Sequence, residues 1–142
     1  FNLAIGDKTA ETIKTKIAAA IPLEEELTIT VKGRDYIQGL PRTAQVSTNE
    51  IVRAIDKELR TMIGAIKDVL AQTPPELSAD IIDDGIIMTG GTSQLRNLAD
   101  LVYRRTGVKA RVADEPFLCV AKGTGEALNH LDTYKKSIIS KR

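Results

Sequence analysis

Cysteine and histidine are nearly absent, with one of each in 142 residues, and that scarcity removes whole classes of chemistry. Cys119 alone cannot close an internal disulfide, and together with His130 it cannot build one of the common four-ligand zinc cages. A single thiol suits a reducing compartment. No apolar run approaches the roughly 20 residues that cross a bilayer, and no charged-then-apolar leader precedes a cleavage-like site, so a soluble, cytoplasmic chain is expected. An excess of one charge is also lacking. Twenty Lys and Arg stand against nineteen Asp and Glu, a net charge of +1, which gives no global field favouring nucleic acid or an anionic membrane. Any anion site must be local, and no nucleic-acid partner is expected. There is no internal repeat and no low-complexity tract.

What is present points to an α/β fold of one domain's length, long enough to bury roughly two-thirds of its extended-chain surface. The most informative stretch is Gly85-Ile86-Ile87-Met88-Thr89-Gly90-Gly91-Thr92-Ser93-Gln94-Leu95. A strand that ends on two glycines and restarts as a helix lets backbone approach a ligand closely, with free N–H groups at the helix start. Read locally, the same glycines could serve only a strand-turn-helix joint.

Along the chain, Asp7 is placed to cap a first helix whose stripe is Ala10, Ile13, Ile17 and Ile21, ended by Pro22 and the acidic run Glu24 to Glu26. Leu27, Ile29 and Val31 alternate with polar residues as a half-buried strand. Gly33-Arg34-Asp35 reads as a turn, Tyr36 to Pro41 as an irregular connection, and Thr43 to Val46 as the second strand of a hairpin. Ser47 and Glu50 fit a capping box for a long helix carrying Ile51, Ile55, Leu59, Met62, Ile63, Ile66 and Leu70 to about Gln72.

Thr73-Pro74-Pro75 must interrupt that helix, because proline lacks the donor and its predecessor avoids helical torsions. A boundary is expected there. Ser78 to Asp84 reads as a short helical turn and Gly85 to Thr89 as a buried strand. Thr92 or Ser93 then caps a helix to about Thr106, Gly107 stops it, and Val108 to Val112 forms a strand. Pro116 opens a last helix, and the basic tail Lys135 to Arg142 is expected to fray. Asp80, Asp83 and Asp84 read as a solvated loop, and His130 as a surface cap.

Four segments in register carry a resemblance over nearly the whole chain, to about Leu131. They are Asn2 to Glu11; Gly33-Arg34-Asp35 with Gly39-Leu40-Pro41-Arg42-Thr43; Thr73-Pro74-Pro75-Glu76-Leu77 leading to Thr89-Gly90-Gly91; and Pro116 through Gly123-Thr124-Gly125-Glu126-Ala127-Leu128. In order and spacing they resemble the bacterial actin-like, rod-shape-determining MreB family. The resemblance implies the actin and sugar-kinase fold, ATP bound between two large domains, polymerisation into membrane-associated filaments, and organisation of cell-wall synthesis. Its implied partners are further copies of itself, cell-wall synthesis and morphogenesis proteins, and a membrane contacted through regions outside this chain.

On that pattern residues 1–79 are similar to the small outer subdomain of helix, β-hairpin and long helix, and residues 80–131 to the C-terminal part of the larger ATPase-fold subdomain. A basic tail, 132–142, follows. Phe1 rather than methionine opens the sequence, which reads as part of a longer protein. The preceding portion would carry the Gly-rich phosphate hairpins, the magnesium-binding acid and the water-positioning acid, so no catalytic residue is assigned within these 142.

Nucleotide contacts carry over by resemblance to the Glu11-Thr12-Ile13-Lys14 helix, which would present an acid and a lysine to the adenosine, and to Gly90, Gly91, Thr92, Ser93 and Gln94, which would meet ribose, α-phosphate and base. Three residues apart, Glu11 and Lys14 share a helix face, where the acid can accept from ribose hydroxyls and the lysine stem can lie along a base. A solvent-exposed ion pair is the plainer reading. Thr92 replaces a third glycine typical of the family, and Ser93 and Gln94 replace an apolar pair. Two other functions compete: an ATP-dependent kinase or chaperone of the same superfamily, and a nucleotide-free interaction module using the surface around Tyr36, Ile37 and Leu40.

Overall fold

Helix α1 begins one residue earlier than its acid suggests. In the computed structural model, which describes residues 1–138, Gly6 is the N-cap and its carbonyl accepts the amides of Thr9 and Ala10 at 2.9 and 3.1 Å. Asp7 is instead the first residue of α1 (Asp7–Ile17), where its charge still favours the positive end of the helix. The apolar stripe ends with the helix at Ile17. Ile21 lies beyond it, because Ala18 has turned to extended backbone and Ala19 pairs in parallel with Arg96.

A three-stranded antiparallel sheet covers the inner face of α1, in the order β1 (Leu3–Ala4), β2 (Thr28–Asp35), β3 (Pro41–Ser47). The expected hairpin forms, with Ile29 opposite Val46 and Val31 opposite Ala44. Its turn, however, is not at Gly33-Arg34-Asp35. Those residues continue β2, since Leu3 and Ala4 pair with Asp35 and Arg34 on the far side, and the reversal falls at Tyr36 to Leu40. Gly33 serves close approach rather than turning: a Cβ there would run into the Ala4 carbonyl oxygen. Ile13, Ile17, Val31 and Val46 form the core beneath this sheet.

The long helix α2 (Thr48–Gln72) follows at once, with the Glu50 carboxylate accepting the Ser47 amide at 2.9 Å in the expected capping box. At 1.5 Å per residue it runs about 37 Å. That length lets it serve two cores: Ile51 joins the cluster under the sheet, while Leu59 and Ile63 pack with Leu98, Leu101 and Val102 in the second. Burying each such leucine or isoleucine stabilises by about 1.5–3 kcal/mol.

The prolines break the helix as anticipated, but the chain resumes directly as α3 (Pro75–Asp84), ten residues with Pro75 at the first helical position. Strand β4 (Ile86–Met88) is shorter than read and only half buried; Ile87 faces outward. It pairs in parallel with β5 (Ala110–Val112), again a shorter strand than the sequence suggests. Val108, expected in that strand, is buried before it begins.

After Gly90 the chain forms a four-residue 3-10 turn, Gly91–Gln94, and the true helix α4 (Leu98–Thr106) starts only after Asn97 in left-handed conformation. Neither Thr92 nor Ser93 caps it. Gly107, at φ 78°, is the left-handed C-cap expected of a glycine. Pro116 lies in a turn, so the next helix, α5 (Cys119–Asn129), begins three residues later and is capped by His130. Leu131–Ile138 are helical (α6) where fraying was expected; the remainder of the basic tail, residues 139–142, lies outside the described residues.

Candidate functional site

The two halves of the chain meet at an alanine run. Ala18, Ala19 and Ala20 are buried, and their small side chains allow backbone to touch backbone: the Ala20 N–H donates to the Arg96 carbonyl at 2.8 Å beside the Ala19–Arg96 bridge. Above this seam the outer face of α1 and the double-glycine turn stand on opposite sides of a cleft of about 460 Å³.

Five of the nine residues expected to bind nucleotide line that cleft: Glu11, Lys14, Gly91, Thr92 and Gln94. Glu11 and Lys14 form an exposed ion pair at 2.7 Å, so the plainer reading of their spacing is satisfied at the same time. Exposed pairs of this kind contribute little stability, which leaves both groups free to exchange partners.

Two more of the nine shape the turn from behind. The Ser93 hydroxyl is buried and donates to the Gly90 carbonyl at 2.7 Å, closing the turn on itself. Gly90, at φ 80°, holds a conformation that side chains rarely adopt, and its N–H donates to the Pro116 carbonyl at 2.8 Å. The remaining two face elsewhere. Ile13 belongs to the core under the sheet, and the Thr12 hydroxyl donates back to the Lys8 carbonyl at 2.8 Å beside a separate depression with Lys8, Thr30 and Lys32. Both fall off the Glu11–Lys14 face by the helical repeat.

The helix expected to start at the glycines does not begin there. A single 3-10 turn of four residues carries little of the aligned dipole that a full helix would present to phosphate, so what the turn offers is close backbone approach. Sequence reading also missed Arg96 and Phe117, which line the cleft. For Arg96 no local signal existed, because its place comes from pairing with Ala19. For Phe117 the only clue was a large aromatic directly after Pro116.

Elsewhere the chemistry is sparse. Asp80, Asp83 and Asp84 are exposed on α3, and among the described residues no three His, Cys, Asp or Glu side chains gather to hold a metal ion. His130 packs its ring nitrogen 3.1 Å from Glu126 Oε1 at the end of α5. Among the described residues no helix is long and apolar enough to cross a membrane.

Comparison with known proteins gives the arrangement a context. The family model described as MreB/Mbl protein matches residues 1–136. The cell shape-determining protein Mbl of Bacillus subtilis (strain 168) is 43% identical over 140 residues, which are 99% of this chain and 42% of that protein. The cell shape-determining protein MreB of Escherichia coli (strain K12) is 40% identical over 136 residues, 96% of this chain and 39% of that protein. A crystal structure of MreB 5 of Spiroplasma citri bound to AMPPNP superposes with a TM-score of 0.86 at 29% identity, covering 97% of this chain and 41% of that one. The chain thus spans about two-fifths of the length of the proteins it matches. With a family model running over nearly all of its residues and relatives at this identity, the chain belongs to the MreB/Mbl family.

Proposed function

We propose that this chain forms one side of an ATP-binding cleft in a filament-forming cytoskeletal protein that governs rod shape by organising cell-wall synthesis. The observation that carries this reading is the convergence of Glu11 and Lys14 with Gly91, Thr92 and Gln94 on one cleft from two elements eighty residues apart in the chain, in a fold whose relative was solved with AMPPNP. The acid suits ribose hydroxyls, the lysine stem suits a base, and the glycine turn admits the nucleotide's backbone-facing edge. Residues 1–79 act as the small outer subdomain and 80–131 as the C-terminal part of the larger one.

Hydrolysis, and the magnesium that accompanies it, belong in this reading to a portion of the polypeptide outside these 142 residues, as the family resemblance implies. Filaments contact the membrane through regions outside this chain. The hairpin tip supports self-association: Tyr36, Ile37 and Leu40 are 77%, 80% and 61% exposed, an apolar patch at the far end of the small subdomain.

Titration of the complete polypeptide with ATP and GTP, for the wild type and a Glu11→Ala/Lys14→Ala double variant, tests the cleft. Binding by the wild type and a loss of about tenfold or more in the variant are expected, equivalent to about 1.4 kcal/mol. No binding by the wild type, or equal binding by both, overturns it.

A further inference from the structure

We infer that Phe117 is a stacking platform for the base of the bound nucleotide, an inference that rests on the nucleotide reading of the cleft. The ring is 71% exposed and forms part of the cleft wall together with Glu11, Lys14, Gly91 and Thr92. Among the described residues that line the cleft it is the only aromatic one.

The chain holds the ring there by several independent devices. Glu115 takes a positive φ of 47°, its carboxylate pairs with Lys122 on α5, and its carbonyl accepts the Leu118 amide at 2.8 Å, forming a tight turn with Phe117 at its crest. The Pro116 carbonyl is bound by the Gly90 amide, which fastens that crest to the double-glycine turn. Gly91 completes the arrangement: a Cβ at that position would lie 2.8 Å from Phe117 Cε1, so the glycine is what admits the edge of the ring beside the turn.

A ring anchored at its backbone and largely open to water matches what a purine needs. Base-aromatic stacking depends on the π face that every base has, so it supports ATP and GTP alike and ignores the phosphates. Glu11 then meets the ribose and the Lys14 stem one side of the base from the opposite wall, and Phe117 supplies the aromatic face that neither of them provides.

The test compares the wild type with Phe117→Ala and Phe117→Trp in the complete polypeptide, using ATP, GTP and inorganic tripolyphosphate as probes. Phe117→Ala is expected to bind both nucleotides about ten- to a hundredfold more weakly while its tripolyphosphate affinity stays unchanged. Phe117→Trp is expected to keep nucleotide affinity and to add, over the wild-type emission, an indole signal that ATP quenches and tripolyphosphate does not. Nucleotide affinity unaltered by Phe117→Ala, or indole emission indifferent to ATP, overturns the stacking role. Absence of nucleotide binding by the wild type instead overturns the cleft reading on which it stands.

Discussion

Arg42 Nη1 stands 2.8 Å from Asp35 Oδ2 at the base of the hairpin, while Asp35 Oδ1 accepts the amides of Gln38 and Ile37 at 2.9 and 2.8 Å. The carboxylate thus closes the loop it begins and pins the far strand to it. These donors, the Gln38 amide foremost, then the Arg42 guanidinium and the Ile37 amide, hold its pKa down at about 2 against an ordinary 3.8.

A depressed carboxyl stabilises the fold above its unfolded pKa and ceases to do so as pH falls through the folded one. The contribution of Asp35 is therefore complete above about pH 4 and lost on the way down to pH 2. Melting temperature followed from pH 6 to pH 2 should fall more steeply for the wild type than for Asp35→Asn, with the gap between them closing near pH 2. Parallel curves would show that the clasp contributes nothing.

Gly33→Ala places a methyl against the Ala4 carbonyl oxygen, a backbone atom that can withdraw only by breaking the β1–β2 pairing. A loss of about 1–3 kcal/mol is expected in urea denaturation. Gly64→Ala, inside α2 with nothing within 4 Å of the new methyl, is the contrasting control and should stabilise by about 0.5–1 kcal/mol.

Leu59→Ala removes a buried side chain from the cluster where α2 meets α4 and should cost about 2–5 kcal/mol. Val69→Ala, two-thirds exposed on the same helix, should stay within about 0.5 kcal/mol. Little or no loss for Leu59→Ala would mean that packing in this cluster does not hold α2, since alanine is the better helix former at both positions.

Ser47→Ala strips the hydroxyl from the capping box at the start of α2 and should lower stability by about 1 kcal/mol. Ser47→Asp, another good cap, should recover most of it in the same denaturation experiment.

Leu40→Asp in the complete polypeptide should abolish sedimentation of filaments and leave the melting temperature unchanged, because this side chain contacts water rather than core. Normal pelleting would free the hairpin tip of any role between subunits.

Local signals revealed what local forces decide. The capping box and apolar period of α2 marked its start and its end at Gln72. Gly107 was legible for the same reason, since only its own backbone is involved. Errors cluster where a distant partner intervenes. Gly33 and Asp35 look like turn residues, yet β1 recruits them into a strand; Ile21 keeps helical spacing, yet the pairing of Ala19 with Arg96 pulls the chain out of the helix. At the cleft, the glycines were legible from the local strand-turn pattern, and Glu11 and Lys14 through the family resemblance. Phe117 was not, because its position depends on Glu115 adopting a torsion that a glutamate seldom takes.

Helix α2 has one further consequence. With Ile51 in one apolar cluster and Leu59 and Ile63 in the other, neither half can melt without loosening a shared rod. Amide hydrogen exchange along residues 51–66 should therefore report a single opening event for both halves. A protease able to nick the polypeptide at Thr73-Pro74, just past the rod, would leave that shared cooperativity largely in place, whereas a cut near Asp56 would dissolve both halves together.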